Sequence, residues 1–524
     1  MTDLDAGNTP RTTSHTPRLP RTAAVLVALI AIAKLILHLV TDGRYGYFRD
    51  ELYYIACSRH LDWGYVDQPP LIALVTWLEL HVIGSSLHSL RFLPAIAGAA
   101  LAVLVAFLAR EMGARKFGIW FASLATASIG VLFVMHYLLT MNAFEPLFWT
   151  GCAYILVRLI NTGNQRLWVW FGLLAGIGLE NKYSMGIFGF GVIVGLLLTT
   201  HRKALAGRWI WIGGMVALLI FFPNLVWNVE HHWPFVELMR NIKASGRDVD
   251  LGVLKYLAEQ IFLVTPLPLL VAVIGLLYLF LSRQARHYRA LAWAFLVTLA
   301  IVVAMKGKNY YIVPAYPMLL AAGAVAIERF TQRGHWVWLK PAIVTLMLVT
   351  LLAALPLGVP ILSAEAFLHY EMKLPFALPV SEKGHLGAAM PQYYSDQFGW
   401  AEMTATVARV YNSLPPEQRS QVCIGAGNYG EAGAIDFFGP KYGLPNAISG
   451  HQNYFLWGPR NCTGKVLILI GNRPDQWEQR CDRLEVAAEL YHSYAIKFEN
   501  RPVLVCYRLK ANLEEIWPRV KNWD

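Results

Sequence analysis

Long apolar runs separated by short polar connections fill the chain up to about residue 361. A helix rises about 1.5 Å per residue, so crossing roughly 30 Å of hydrocarbon takes about 17 to 25 apolar residues. Eleven such runs can be read, near 22–41, 90–109, 117–136, 143–160, 167–181, 184–200, 209–228, 260–281, 290–305, 311–327 and 341–361, the fifth and ninth being short. Beyond them the pattern changes. Gln421–Ile424, Lys465–Gly471 and Pro502–Leu509 read as buried strands, and stretches near 401–413 and 475–490 read as helices. The pattern predicts an α-helical polytopic membrane protein of about 11 transmembrane helices: a tail over 1–21, a membrane part over 22–361 and an α/β domain over 362–524.

Composition agrees. Of 524 residues, 56% are hydrophobic and only 15% charged, against about 25% charged in ordinary soluble domains, which excludes a disordered chain. The formal charge of +11 is compatible with nucleic-acid binding until the charges are located. If the tail with Arg11, Arg18 and Arg21 is cytoplasmic, the inner connections carry Arg110, Arg115 and Lys116; Arg158 and Arg166; Arg202, Lys203 and Arg208; Arg283, Arg286 and Arg289; and Arg329, Arg333 and Lys340. The short outer connections carry only Lys182, Lys306 and Lys308. This is the positive-inside asymmetry of a multi-pass protein, with no nucleic-acid partner implied. The first run lacks a small-residue cleavage site before Thr41 and reads as an uncleaved anchor, so an odd number of spans puts the C-terminal domain outside. Four of the six cysteines, Cys423, Cys462, Cys481 and Cys506, would then meet an oxidising compartment. They are either disulfides, with Cys462 and Cys481 closing the shortest plausible loop, or four free core thiols.

Chemistry is expected on the outer side, in residues 42–89, residues 229–259 and the tail from Ser363 onward. The first of these reads Tyr45-Gly46-Tyr47-Phe48-Arg49-Asp50-Glu51 and later Trp63-Gly64-Tyr65-Val66-Asp67-Gln68-Pro69-Pro70. Asp50 and Glu51 lie just beyond a spanning helix, where desolvation raises a carboxylate pKa and makes a general base. The alternative is that Asp50 caps the next helix and the aromatic residues form an interfacial belt. Glu145, before Pro146 at the outer end of the fourth run, is either a functional acid at the membrane edge or a first-turn residue. Lys182, Lys306 and Lys308, the last followed by Tyr310 and Tyr311, either snorkel or share an anionic lipid headgroup.

Other signals are weaker. His231 and His232, with an outer-face carboxylate such as Asp67, offer ligands to a divalent metal, but no fixed spacing supports them. Lys34 and His38, one turn apart in the first run, must face a protein interior. Gly425-Ala426-Gly427-Asn428-Tyr429-Gly430 fits G-x-G-x-x-G, yet about 20 positions later the chain reads Ser449-Gly450-His451-Gln452 instead of an acid. We read a tight strand-to-helix turn and expect no nicotinamide or nucleotide cofactor.

Taken together, these residues resemble the GT-C glycosyltransferases of the protein O-mannosyltransferase and aminoarabinose-transferase superfamily, in particular the bacterial RgtA/B/C/D-like branch. The resemblance spans about residues 20–361 and rests on Asp50-Glu51, Asp67-Gln68-Pro69-Pro70, Glu145 and the segment from Lys308 to Pro314. It implies a bacterial inner-membrane enzyme that takes a sugar from a polyprenyl-phosphate donor. Its acceptor would be a hydroxyl of an envelope glycan, lipid or protein on the outer face, with inversion at the sugar. By the same resemblance Asp50 is the base, Glu51 and Glu145 belong to the catalytic acids, Lys182 meets the lipid phosphate, and Arg240 is a further basic contact by loop position. A transporter or flippase of lipid-linked sugars would use the same groove but should show internal repeats of broken helices. A non-catalytic sugar receptor would leave Asp50 and Glu145 unexplained.

Overall fold

The computed structural model describes residues 18–332, 334–380, 382–496 and 499–524. Residues 1–17, Arg11 among them, and Arg333 lie outside this set.

Every predicted run contains helix. Seven helices among the described residues are long and apolar enough to cross a bilayer singly: Arg21–Thr41, Leu87–Glu111, Met141–Thr162, Arg208–Glu230, Arg286–Ala304, Asn309–Thr331 and Gly334–Gly358. Three further runs are pairs bent by 66° (Lys116–Ala127 with Gly130–Tyr137), 114° (Ser184–Leu197 with Thr200–Ala206) and 115° (Val253–Val264 with Pro266–Leu281). The fifth run is the shorter helix Leu167–Asn181. Lys34 and His38 face the interior as expected, both buried, with the Lys34 ammonium 4.1 Å from the centre of the Phe133 ring.

In lipid the helices gain little by burying apolar surface against one another, so close backbone packing holds them. Pro266–Leu281 and Tyr316–Thr331 show how close. A Cβ on Gly275 would stand 2.0 Å from the Leu319 carbonyl oxygen, and one on Gly323 would stand 2.1 Å from that of Val271. Several of the basic connections gather at one end of the bundle. Arg158 lies 3.4 Å from Glu111, Asn161 donates to the Glu111 carbonyl, and Tyr288 donates to Asn161.

At the other end lies the C-terminal domain, a five-stranded sheet in the order β2-β1-β3-β5-β4. Its strands are β1 (Val422–Ala426), β2 (Ala447–Ser449), β3 (Val466–Ile470), β4 (Cys481–Ala488) and β5 (Val503–Leu509). β1 pairs in parallel with β2 and β3, while β5 runs antiparallel to β3 and β4. The central β3 is buried at every position, as its unbroken apolar run demands. The helix expected over 401–413 is present as Trp400–Ser413.

Two expectations are corrected. The stretch 475–490 is mostly the edge strand β4: Asp482, Arg483 and Glu485 are exposed on it, and the spacing from Cys481 to Leu484 imitates a helical face. The cysteines form Cys423–Cys462 and Cys481–Cys506, not Cys462–Cys481 and not free thiols. The sheet order explains the pairing. β4 sits beyond β5 at the edge, so Cys481 meets Cys506 on β5, while Cys462, just ahead of β3, meets Cys423 on β1.

Mass spectrometry of the non-reduced protein should find these two pairings, with Cys57 and Cys152 buried and alkylated only after unfolding. Reduction should destabilise the domain by about 2–5 kcal/mol per bridge. A Cys462–Cys481 peptide would contradict the strand order.

Candidate active site

The first loop folds into the helix Arg49–Ser58, and its two adjacent carboxylates part company there. Successive residues on a helix are about 100° apart, so Asp50 and Glu51 cannot face the same way. Glu51 turns inward. It accepts hydrogen bonds from Arg91 Nε (2.8 Å) and Nη2 (2.7 Å), from the Leu139 amide (3.0 Å) and from the Phe48 amide (2.8 Å), the last capping its own helix. Arg91 and Glu51 are both 0% exposed. The expectation that Glu51 is a catalytic acid is therefore corrected: it is a structural tie between the loop helix and the second spanning helix.

Asp50 turns to a cavity. Its Oδ1 accepts a hydrogen bond from the Tyr429 hydroxyl at 2.7 Å, and Arg49 Nε lies 3.7 Å away. Oδ2 has no partner among the described residues. Burial pushes the Asp50 pKa above the usual carboxylate range, while Arg49 and the Tyr429 hydrogen bond pull it part of the way back. Asp67 stands nearby, its Oδ1 3.0 Å from the Tyr53 hydroxyl, and burial raises its pKa to about 7.

The C-terminal domain reaches this site because two helices approach where one of them carries glycines. Asn428 caps the helix Tyr429–Phe438, accepting from the amides of Gly430 and Glu431. A Cβ on Gly430 would stand 2.4 Å from Arg49 Cγ, and one on Gly433 would stand 2.9 Å from the Leu52 backbone. The G-x-G-x-x-G segment is thus the expected strand-to-helix turn, and Gly430 additionally admits the first-loop helix. Arg59 closes the contact by donating to the Asp436 carbonyl at 2.9 Å.

The cavity measures about 1740 Å³ and has walls of two kinds. Asp50, Asp67, Lys182, Arg247, Lys308 and Tyr429 line one part; Val131, Val134, Ile261, Phe262, Leu357 and Phe376 line another. Lys182 donates to Asn142 (2.8 Å) and Glu145 (3.0 Å), and its ammonium lies 4.5 Å from the Tyr311 ring centre and 5.7 Å from that of Tyr310. Lys308 donates to Glu382 at 2.6 Å. Burial opposes ionisation of Glu382, but Lys308, Arg49 and Arg247 outweigh it and hold this carboxyl well below the usual range.

The remaining sequence expectations divide. Lys182, Lys308, Tyr310 and Tyr311 line one cavity with Asp50. Glu145 is buried behind Lys182, held also by Ser184, and is not among the lining residues, so it orients the ammonium instead of facing a substrate. Lys306 lies at the rim, paired with Asp250. Arg240 is exposed and does not line the cavity; Met239 and Lys243 on the same helix do. His231 stacks on Trp227 with ring centres 4.1 Å apart, its Nδ1 bonded to the Trp227 carbonyl, and His232 is exposed. No group of three or more His, Cys, Asp or Glu side chains that could hold a metal occurs among the described residues, so Asp67, His231 and His232 do not assemble the expected ligand set.

Sequence reasoning missed Tyr429, Arg247, Glu382 and Arg91. Only Arg91 left a usable sign, a cation at the outer start of a spanning run. The others reach the site across sequence separations that no spacing rule covers.

Residues 67–227 match the family model described as dolichyl-phosphate-mannose-protein mannosyltransferase, a span that includes Asp67, Glu145 and Lys182. The lipid A galacturonosyltransferase RgtD of Rhizobium johnstonii is 26% identical over 277 residues, which cover 50% of this chain and 57% of that relative's length. ArnT from Cupriavidus metallidurans, solved bound to undecaprenyl phosphate, superposes with a TM-score of 0.57 at 16% identity, covering 92% of this chain and 97% of ArnT. The chain has an ArnT-like GT-C fold. The archaeal oligosaccharyltransferase AglB from Archaeoglobus fulgidus, in complex with an inhibitory peptide and a dolichol-phosphate, gives a TM-score of 0.52 at 12% identity, covering 86% of this chain and 69% of AglB. The likeness to ArnT takes in the C-terminal domain as well as the membrane part, because 92% coverage leaves no room to omit a domain of this size.

Within this fold the Arg91–Glu51 pair should be structural. Glu51→Gln should lower stability by about 3–5 kcal/mol, because Arg91 would remain buried without its counter-charge. Replacing both residues with Met should cost less than replacing either alone. Unfolding midpoints in detergent would check this, and a Glu51→Gln protein as stable as wild type would contradict the assignment.

Proposed function

We propose that the protein is a membrane glycosyltransferase that moves a sugar from a polyprenyl-phosphate donor to an acceptor hydroxyl at the outer face of the bacterial inner membrane. The observation that carries this reading is the cavity itself. A half-buried carboxylate with one oxygen unpartnered among the described residues, two lysines and an apolar wall line one continuous space, which matches the three parts of a lipid-linked sugar reacting with an alcohol. The likeness to ArnT and to RgtD supports the same class of reaction.

The donor tail would lie along Val131, Val134, Ile261 and Phe262. A polyprenyl chain leaves hydrocarbon to enter this wall, so the gain is alignment more than affinity. Affinity would come from the phosphate. Lys182 has two of its three protons committed to Asn142 and Glu145, and Lys308 is neutralised by Glu382, which the phosphate could displace as it gains a second negative charge on leaving.

In the transfer, Asp50 Oδ2 accepts the acceptor's hydroxyl proton while that oxygen bonds to the anomeric carbon from the side opposite the phosphate. The bond from the anomeric carbon to phosphate oxygen breaks, and its electron pair leaves with polyprenyl phosphate, whose charge Lys182 and Lys308 stabilise. Inversion follows from the opposite-side attack.

Purified protein in nanodiscs, given a panel of polyprenyl-phosphate sugars and candidate acceptors, should release polyprenyl phosphate. Asp50→Asn should reduce turnover about 10²–10⁴-fold with donor binding retained. The base works ionised, and burial raises its pKa, so activity should fall as pH drops through a value above the usual carboxylate pKa of about 3.9. Donor binding without turnover by wild type across the panel would instead support a carrier of lipid-linked sugars.

A further inference from the structure

We infer that the C-terminal α/β domain is part of the catalytic apparatus, with Tyr429 as the positioning residue that orients the Asp50 carboxylate and keeps it ionised. The inference builds on the transferase reading above.

The Tyr429 hydroxyl donates to Asp50 Oδ1 at 2.7 Å across 379 positions of sequence, and both residues line the cavity. The phenol ring is held by its neighbours. Its ring lies between Tyr53, with centres 4.7 Å apart, and His451, 4.9 Å apart and nearly parallel at 20°. Arg49 Cζ sits 5.5 Å from the ring centre. The Tyr429 amide donates to His451 Nδ1 at 3.2 Å, and His451 Nε2 lies 3.2 Å from the Asp524 carbonyl, which places its proton there. Burial lowers the His451 pKa to about 4, so the imidazole stays neutral and remains a fixed acceptor. Burial also raises the Tyr429 phenol well above its ordinary pKa, so it is always a donor.

A donor fixed on Oδ1 stabilises the ionised carboxylate and directs Oδ2, unpartnered among the described residues, toward the cavity. The same domain reaches Asp67 through Asn453, whose Oδ1 accepts from the Val66 amide at 2.7 Å and lies 3.2 Å from the Tyr53 hydroxyl. Arg49, Asp67, Glu382, Asp396, Tyr54 and Tyr310 also bear on the charge of Asp50. None of them changes in a Tyr429→Phe protein, which keeps the ring and its stacking.

The test is the protonation of Asp50 itself, followed in nanodiscs by infrared difference spectra against an Asp50→Asn protein in each background. Tyr429→Phe should move the protonation midpoint to higher pH by about one pH unit or more. Under turnover it should lower kcat about 10- to 100-fold, with a smaller effect on KM for the donor, and shift the acid limb of kcat/KM by the same amount. Tyr491→Phe, at an exposed tyrosine of the same domain, should change neither. An unmoved Asp50 midpoint in Tyr429→Phe overturns the inference. A moved midpoint in a protein whose wild type transfers no sugar would sustain the contact while removing the transferase reading.

Discussion

A guanidinium withdrawn from water has to be answered by the protein around it, and the arrangement of this protein follows from how Arg91 is answered. Its donors reach Glu51 twice, the Asp42 carbonyl at 2.6 Å and the Gly46 carbonyl at 2.9 Å, and its face lies 4.5 Å from the centre of the Tyr137 ring. Desolvating both charges is expensive, and good geometry at every lone pair is what offsets it. Those bonds set the depth and rotation of the first-loop helix against the second span. With Glu51 turned inward, Asp50 is turned to the cavity and Tyr53 and Leu52 are turned to the C-terminal domain. A chain of consequences starts from one buried ion pair.

Charge balance governs the cavity in the same way. Lys182 faces Glu145, Lys308 faces Glu382, and Lys306 faces Asp250. Under the proposed reading, a phosphate entering this space would not meet bare cations; it would have to exchange with carboxylates already in place. The exchange differs from lysine to lysine. Glu145 is fixed on a spanning helix and keeps Lys182 in place, whereas Glu382 belongs to the connection into the domain.

What the sequence revealed and what it hid divide along the range of the forces involved. A bilayer imposes its thickness on each span separately, so the apolar runs were visible; each contains helix, and seven helices among the described residues are long enough to cross singly. The strands β1, β3 and β5 showed through their apolar residues, unbroken only in β3. The edge strand β4 was hidden because a polar outer face over eight residues can carry helical spacing by chance. Asp50 and Glu51 are adjacent carboxylates that local chemistry cannot distinguish; the distinction is made by Arg91, 40 positions from Glu51. Lys182, Lys308, Tyr310 and Tyr311 were singled out because lysine is scarce on that side. Arg240, His231 and His232 were drawn from the same side by loop position alone, and the helix Pro234–Ser245 turns Lys243 to the cavity and Arg240 away from it. Tyr429 carried no local sign, since its importance lies in a partner on the far side of the chain.

The close fit at Gly430 and Gly433 bears on how such a protein can change over generations. Domains joined by a flexible connection behave as interchangeable modules, inherited and exchanged whole. Here the join is a pair of close approaches, Gly430 to the Arg49 side chain and Gly433 to the Leu52 backbone, that an added methyl group would obstruct. The helix Tyr429–Phe438 and the helix Arg49–Ser58 are therefore one unit of inheritance, although most of the membrane part separates them in the chain. A chimera that grafts this domain onto another GT-C membrane part would have to carry the first-loop helix with it, or find its own glycines.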